Sequence, residues 1–348
     1  MLDWYPRYKR DLPWRDTKNP YIIWLSEIIL QQTRVAQGLP YFEKFLTHYP
    51  ALEDFAAAPL DEILRHWQGL GYYSRARNMH HCAIQIQQDH RGEFPGTYAG
   101  LLRLKGIGTY TAAAIASFAF GEAVAVVDGN VFRVMSRFFG MEEDINSTVG
   151  KRKFQQLAND LVPKKHPGEY NQAVMEFGAL QCVPINPDCG SCTLSAGCFA
   201  FKHGVVSGLP VKVNKTKIKQ RNFVYLHIEC GDYIVAKQRG EGDIWQGLYD
   251  FPLEEVSSDI AEGEFKPVKY QRLLKLGSLI VGESPAKYRH VLTHQRIFAT
   301  FVKFMVPAGN LPALTDWVAD SGFQLLTIDQ LEKLGKPRLL LKYLNGEK

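Results

Sequence analysis

The sequence predicts an all-helical N-terminal domain followed by a smaller α+β domain. Before residue 202, apolar residues recur three and four positions apart, which is the period of an amphipathic helix. After residue 221 the period shifts toward two, which is typical of strands. At roughly 100 to 200 residues per domain, a chain of 348 residues is long enough for two domains that each bury a core.

A basic segment separates the two patterns. Residues 202–221 contain six Lys or Arg residues, no acidic residue, and scattered Gly and Pro. A solvated linker and a phosphate-contacting arm both fit this composition. We therefore predict a helical domain over 1–203, a linker over 204–221 and a second domain over 222–348.

The net charge of +5 lies in the first part of the chain. Up to residue 221 there are 26 basic and 20 acidic residues, a difference of +6, and 15 basic and 16 acidic residues follow, a difference of −1. The uncharged run from Gly106 to Gly121 is shorter than the roughly 20 apolar residues that cross a bilayer. Because charged residues such as Asp3 and Arg7 stand where a secretory signal would be apolar, we expect a cytoplasmic protein without structural disulfides.

A helix that carries a candidate catalytic residue is predicted to run to Gln32. Asn19 is its N-cap, and Pro20 is its first-turn residue. Glu27 is its only charged residue, and the residues three and four positions away are largely apolar. Desolvation on such a face raises the pKa of a carboxyl and keeps it protonated near neutral pH, as a general acid requires. A Glu that merely reaches the solvent edge is the ordinary alternative.

Residues 101–120 predict two helices joined by a Gly106-Ile107-Gly108 turn, with Thr109 as the cap of the second helix. Two glycines let the backbone approach a ligand, and the second helix offers free N–H groups to a phosphate. A simple tight turn explains the pattern equally well. Lys105 and the positive charge favour a nucleic-acid backbone as the ligand of Gly106, Gly108 and Thr109.

A second carboxyl, Asp128, follows the apolar run 123–127 and precedes a helix predicted to end at Phe139, with Gly140 beyond it. Asp is a strong N-cap at such a position, and the N–H groups and helix dipole there favour its ionised form. One neutral and one charged carboxyl form a pattern that suits glycosidic bond cleavage. The acid serves the leaving group, and the anion serves an oxocarbenium-like transition state.

Four of the six cysteines have metal-ligand spacing. Six, two and five residues separate Cys182, Cys189, Cys192 and Cys198 in turn. A zinc site usually shows two Cys-x-x-Cys pairs, and only one is present here, so the spacing favours an iron–sulfur cluster over zinc, with two disulfides third.

In the second domain, Phe223–Ile228 and Tyr233–Val235 flank a Gly231-Asp232 turn and predict a hairpin. Residues Ile297–Val306 predict another strand. We find no internal repeat.

Taken together, these segments resemble the helix-hairpin-helix DNA glycosylases and, within them, the adenine DNA glycosylases of the MutY type. The resemblance covers nearly the whole chain. It is carried by the cysteine spacing and by the motifs LPWR (12–15), WLSEIILQQT (24–33), GLGYYSRARN (69–78), LKGIGTYTA (104–112) and VDGNVFRV (127–134). It implies a [4Fe–4S] cluster on the four cysteines of the 182–198 loop.

The resemblance also implies the catalytic roles. Glu27 matches the family's acid, which protonates adenine at N7 and later assists water. Asp128 matches the carboxylate that stabilises or transiently bonds the sugar C1′, and Asn130 and Tyr110 match polar supports near the same centre.

Base contacts are implied in the same way. Arg15 and Gln172 match residues that hydrogen-bond the flipped adenine, and flipping is required because a stacked base is out of reach. Gln31, Gln32 and Tyr72 match residues that wedge into the base stack.

The second domain resembles the Nudix-like module of this family through residues 242–252. Active Nudix hydrolases carry a metal-binding acidic helix, which has no counterpart after Pro252. The resemblance therefore implies a reader of 8-oxoguanine opposite the adenine. The family's contact loop is Phe-Ser-His, whereas this chain has Leu292-Thr293-His294, which keeps the hydroxyl of Thr293 and the imidazole of His294 and loses the aromatic ring.

Two alternatives stay open. An endonuclease III type of glycosylase and lyase, which excises oxidised pyrimidines, carries a Schiff-base lysine where this chain has Tyr110, so the resemblance favours a mainly monofunctional hydrolase. The second alternative is a non-catalytic iron–sulfur protein that binds DNA lesions or senses redox state. The expected substrate is double-stranded DNA with adenine opposite 8-oxoguanine or guanine, bound by a monomer.

Overall fold

The computed structural model describes residues 1–213, 218–257, 270–279 and 286–347, so part of the predicted linker lies outside the described residues. The chain forms two compact units. The N-terminal unit comprises Met1–Ala57 and Asn78–Lys215, and the C-terminal unit comprises Ala58–Arg77 and Thr216–Lys348. Residues 58–77 thus pack with the C-terminal unit, which the domain boundaries predicted from the sequence do not anticipate.

The first 203 residues are helical, as the apolar period predicts. Their helices are α1 (Tyr5–Tyr8), α2 (Pro20–Ile29), α3 (Val35–His48), α4 (Leu52–Ala57), α5 (Leu60–His66), α6 (Ser74–His90), α7 (Tyr98–Leu101), α8 (Thr109–Phe120), α9 (Gly129–Phe139), α10 (Thr148–Leu161), α11 (Pro167–Leu180) and α12 (Phe199–Lys202). Throughout the described ranges, every helix is too short or too polar to cross a membrane. The cytoplasmic location stays a prediction.

Helices α9 and α11 pack closely in the core of the N-terminal unit. Val131, Phe154 and Phe177 are buried in one apolar cluster, which removes their side chains from water and stabilises the fold. Gly178 permits the close approach, because a Cβ there would lie 2.7 Å from the Cβ of Asn130. The packing holds the start of α9 beside α11.

The C-terminal unit is built on a mixed sheet. Its described strands are β1 (Lys219–Cys230), β2 (Tyr233–Gln238), β3 (Tyr249–Asp250), β4 (Leu253–Val256), β5 (Ser278–Leu279), β6 (Ala286–Val291), β7 (Gln295–Met305) and β8 (Gln324–Thr327). The central order is β3-β2-β1-β7-β5, with β4 on β1, β6 on β7 and β8 on β2. Strands β1 and β2 form an antiparallel hairpin in which Cys230 pairs with Tyr233, and β7 lies parallel to β1. The predicted hairpin and the predicted strand at 297–306 are both confirmed.

Both faces of the sheet are covered. Phe223 and Tyr225 of β1 belong to one buried cluster, and Leu226 and Ile228 belong to another, because alternate residues of a strand point to opposite faces. The first cluster includes residues of α15 (Arg338–Leu344), and the second includes residues of α13 (Leu311–Ser321). The short α14 (Ile328–Glu332) follows β8. A helical domain followed by an α+β domain is therefore the observed fold class.

Candidate active site, cysteine loop and second cavity

A cavity of about 480 Å³ lies within the N-terminal unit. It is lined by residues from the segment before α2, from α2 and the turn after it, and from α8, α9 and α11. The predicted site residues on its wall are Arg15, Glu27, Gln31, Gln32, Tyr110, Asp128, Asn130 and Gln172. The structure thus brings together residues that are up to about half the chain apart.

Glu27 lies on α2, and its helix starts as predicted. The Asn19 side chain accepts a hydrogen bond from the Tyr21 N–H at 2.9 Å, which satisfies one free donor of the first turn. Glu27 is only 8% exposed, and its carboxylate accepts a hydrogen bond from the Tyr110 hydroxyl at 2.6 Å. Burial raises the pKa of Glu27 to about 7, and the Tyr110 bond opposes that rise. The predicted protonated state near neutral pH has this physical cause.

Asp128 caps α9, which runs to Phe139 with Gly140 beyond it, as predicted. Its Oδ1 accepts from the N–H groups of Asn130 at 2.9 Å and Val131 at 2.8 Å, and its Oδ2 accepts from the Asn130 amide at 2.7 Å. The bonds that the sequence predicts to favour the anion are present and lower the pKa of Asp128, but the net shift is upward because of a burial that the sequence did not show. Burial raises the pKa of Asp128, and the three hydrogen bonds offset part of that rise.

Arg133 links Asn130 to the cysteine loop. Its guanidinium donates to Oδ1 of Asn130 at 2.8 Å and to the carbonyl of Cys182 at 2.7 Å. The same side chain donates to the carbonyl of Gly178 at 2.5 Å. These bonds hold the side-chain amide of Asn130 with its nitrogen toward Asp128. Sequence reasoning did not identify Arg133 as part of the site.

The cavity wall at Arg15 and Gln172 is organised by Glu176, which sequence reasoning also missed. Glu176 is 1% exposed and accepts from the backbone N–H and guanidinium of Arg10 at 2.6 to 2.8 Å, and from the guanidinium of Arg15. Burial would raise the pKa of Glu176, but the hydrogen bonds from both arginines lower it to about 2. Gln172, one turn earlier on α11, accepts from the Tyr5 hydroxyl at 2.7 Å. The sequence signal that could have found Glu176 is its position four residues after Gln172, which places both side chains on the same face of α11.

The end of α2 differs from the prediction. The helix stops at Ile29 rather than at Gln32, and Gln32 has φ of 56°, in the left-handed region. Gln31 donates to the hydroxyl of Thr111 at 3.2 Å. The early end turns both glutamines onto the cavity wall instead of continuing them along the helix.

The hairpin between α7 and α8 forms at the predicted residues. Gly106 has φ of 77°, and a Cβ there would lie 2.6 Å from Cβ of Asn78, so the turn requires glycine. The predicted cap is wrong: Gly108 is the N-cap of α8 and Thr109 is its first residue, without a side-chain cap bond. The N–H groups of the first turn of α8 remain the feature that suits a phosphate.

The four clustered cysteines line one cavity of about 30 Å³. Arg137 is buried beside them, with its guanidinium 3.5 Å from Sγ of Cys182 and 2.8 Å from the carbonyl of Val183. In the described ranges, no three His, Cys, Asp or Glu side chains are disposed to hold a metal ion. Four soft donors around one space are the donor set that an iron–sulfur cluster takes.

A second cavity, of about 620 Å³, lies within the C-terminal unit. Tyr72, Thr293 and His294 line it, and the hydroxyls of Tyr72 and Thr293 form a hydrogen bond. Leu292 packs against the buried cluster of the sheet. Trp245 also lines this cavity, and its ring meets His290 edge to face at 5.6 Å between centroids. Sequence reasoning did not place Trp245 at a site.

The comparisons with known proteins identify the class. Residues 25–164 match the HhH-GPD superfamily of base excision DNA repair proteins, and residues 224–346 match the NUDIX domain. A solved thermostable thymine-DNA glycosylase is 32% identical, with 58% of this chain and 93% of that chain covered and a TM-score of 0.54. Fold and site therefore define a base excision DNA glycosylase with a Nudix-like C-terminal domain.

Curated relatives identify the family within that class. The adenine DNA glycosylase of Buchnera aphidicola subsp. Baizongia pistaciae is 37% identical over 75% of this chain and 74% of its own length. The human adenine DNA glycosylase is 42% identical over 58% of this chain and 38% of its own length. The chain belongs to the adenine DNA glycosylase family, and it is an N-glycosylase that removes adenine from DNA in base excision repair.

Proposed function

We propose that the enzyme hydrolyses the N-glycosidic bond of a flipped adenine, with Glu27 as the acid and Asp128 as the stabilising carboxylate. The observation that carries this proposal is that both carboxyls line one cavity in different hydrogen-bonding environments. Glu27 accepts one O–H bond, and Asp128 accepts three N–H bonds, among the described residues. Hydrogen bonds of the second kind favour the charged form of a carboxyl.

The proposed step begins with transfer of the Glu27 proton to N7 of adenine. The bond between N9 and C1′ then breaks, and its electron pair leaves with the base. Asp128 stabilises the positive charge that develops on the sugar. Water adds to C1′ and returns a proton to Glu27, which leaves an abasic site and free adenine.

Tyr110 supports hydrolysis rather than strand cleavage. Its hydroxyl donates to Glu27, and burial raises its pKa well above the usual value, so the group stays a neutral donor. A phenol cannot form a Schiff base with the sugar. We therefore propose a mainly monofunctional glycosylase.

Arg15 and Gln172 are proposed to hydrogen-bond the flipped adenine. Both lie on the cavity wall, where Glu176 holds Arg15 and the Tyr5 hydroxyl holds Gln172. A wall of fixed donors and acceptors discriminates strongly against a base that leaves them unpaired.

Gln31, Gln32 and Tyr72 are proposed to fill the gap that the flipped base leaves. Thr293 and His294 are proposed to contact 8-oxoguanine, or guanine, on the opposite strand. Both side chains are exposed and line the same cavity as Tyr72. The N–H groups of the first turn of α8 and the turn at Gly106 and Gly108 are proposed to bind the DNA backbone.

The four cysteines are proposed to hold a [4Fe–4S] cluster, in a cytoplasmic monomer. Bound there, a cluster would cross-link the 182–198 loop and supply a one-electron redox couple. Iron and sulfide analysis of the purified protein tests the assignment. We expect about four of each per chain for one cluster of this type; zinc in their place contradicts it.

Single-turnover excision on defined duplexes tests the function. We expect release of adenine opposite 8-oxoguanine and, more slowly, opposite guanine, and little covalent complex on borohydride reduction. Release of thymine glycol at an equal rate would indicate the endonuclease III type of enzyme. Binding without release of any base would indicate the non-catalytic alternative.

A further inference from the structure

The segment 58–77 carries Tyr72 and belongs to the C-terminal unit. It consists of α5, an irregular turn over residues 67–73 and the first residues of α6. Tyr72 is 44% exposed and has φ of 49°, in the left-handed region where a residue with a Cβ is rarely found. Such a conformation persists only where surrounding contacts over-determine it.

Contacts inside the segment brace this turn. The carbonyl of Gly71 accepts from the Trp67 indole N–H at 2.9 Å and from the Arg75 guanidinium at 3.2 Å. The guanidinium of Arg75 also lies over the rings of Trp67 and Tyr72, at 5.0 and 5.7 Å from their centroids. These contacts shape the turn, but they join residues of the same segment and do not connect it to the rest of the C-terminal unit.

The loop at Gly335 and Lys336 makes that attachment. The backbone N–H of Lys336 donates to the side chain of Gln68 at 3.0 Å, and its carbonyl accepts from the Tyr73 hydroxyl at 3.4 Å. A Cβ on Gly335 would lie 3.2 Å from the backbone carbon of Leu64, so the loop touches the backbone of α5. The two anchored side chains, Gln68 and Tyr73, enclose the strained turn on both sides.

Lys336 holds the loop in this shape. Its ammonium is buried, and it donates to the carbonyls of Leu331 at 2.5 Å and Leu334 at 2.8 Å, at the end of α14. A separate contact holds the far end of the segment, where the Arg77 guanidinium donates to the carbonyl of Gln246 at 2.7 Å.

We propose that the C-terminal unit positions Tyr72 by clamping the 58–77 segment through Gly335, Lys336 and Arg77. In this arrangement the unit does more than contact the base opposite adenine, because it also maintains the turn that presents the wedge residue. Loosening the clamp would impair excision opposite any base. The wedge role of Tyr72 rests on the proposed function, whereas the clamp itself does not.

Gly335→Val tests the clamp in the full-length protein. The added side chain meets backbone that cannot move aside cheaply. Hydrogen exchange at Arg75 and Arg77 is the first readout, because their N–H groups bond the carbonyls of Tyr72 at 2.9 Å and Tyr73 at 3.1 Å. We expect their exchange to rise roughly tenfold or more, with the amides of Tyr225 and Leu226 in β1 unchanged.

Excision is the second readout. We expect Gly335→Val to slow adenine release by a similar factor opposite 8-oxoguanine and opposite guanine. His294→Ala, which removes a proposed lesion contact and leaves the hydrogen bond between Tyr72 and Thr293 in place, should lower the rate mainly opposite 8-oxoguanine. Gly309→Val is the matched control, since a Cβ at Gly309 meets open space.

Unchanged exchange at Arg75 and Arg77, or a Gly335→Val defect confined to 8-oxoguanine, would overturn the proposal. If wild-type protein releases no adenine, the proposed function fails and the exchange result still decides the clamp. If Gly335→Val also loses protection in β1, Gln68→Met replaces it. That variant removes the acceptor of the Lys336 N–H, and we expect a smaller rise in exchange, of roughly threefold or more.

Discussion

The cavity of the N-terminal unit and the cavity of the C-terminal unit are built in different ways. In the first, Glu27 is buried, Asp128 is half-buried at a helix start, and both carboxyls are hydrogen-bonded. In the second, Tyr72, Thr293 and His294 are exposed on turns. Chemistry on a glycosidic bond needs desolvated groups held in place, because desolvation sets their pKa values and fixed dipoles stabilise charge. Contact with the DNA strand opposite the adenine needs side chains that remain accessible to solvent.

The sharpest test of the first cavity is removal of its acid. For Glu27→Gln we expect single-turnover excision to fall roughly 10²- to 10⁴-fold, because the amide cannot give up a proton, with duplex binding retained. Asp128→Asn should cause a loss of similar size. Glu43→Gln, at an exposed position of α3, is the matched control. Rapid excision by Glu27→Gln would refute its assigned role.

The next test concerns the part of the first cavity's wall that Glu176 organises. Glu176→Gln removes the buried negative charge that pairs with Arg10 and Arg15. We expect the free energy of unfolding to fall by about 2–4 kcal/mol in denaturant titrations. Glu169→Gln, exposed on the same helix, should cost less than about 1 kcal/mol.

The pH dependence of stability sharpens the same comparison. The pKa of Glu176 is depressed from 4.5 to about 2 in the folded protein. Its stabilisation is therefore present above about pH 4.5 and is lost as the pH falls toward 2. Wild-type protein should lose more stability than Glu176→Gln across that interval, and equal acid sensitivity would contradict the assignment.

A smaller effect is expected from Tyr110→Phe. Because the proposed acid, Glu27, must be protonated to act and burial raises its pKa to about 7, we expect excision to decline as the pH rises through 7. The Tyr110 bond lowers that pKa, so its removal should move the decline to higher pH. A pH–rate profile measured under single-turnover conditions would show the shift, and a move to lower pH would refute this account.

The smallest effect belongs to the second cavity. Thr293→Val keeps the shape and removes one exposed hydroxyl together with its hydrogen bond to Tyr72, so the preference for adenine opposite 8-oxoguanine over guanine should fall about three- to tenfold. Thr315→Val, exposed on α13, controls for the substitution. A loss as large as that of Glu27→Gln would show that the two cavities are not divided into chemistry and recognition.

Local signals predicted much of the first cavity. Asn19 and Asp128 cap their helices because a cap depends on only a few neighbouring residues. The direction of the Glu27 pKa shift followed from the apolar residues one turn away along α2. The end of α2 at Ile29 and the cap at Gly108 were missed, since helix ends are decided by backbone bonds and packing as well as by residue type.

The sequence by itself determined the two-domain fold class, the helix starts that carry the two carboxyls, and a motif set that indicated the family. Only the tertiary structure decided that Glu176 binds Arg10 and Arg15, that burial raises the pKa of Asp128, and that residues 58–77 pack with the C-terminal unit. The physical reason is range. Caps and periodicity act over a few residues, whereas burial and ion pairing arise when segments more than 150 residues apart come into contact.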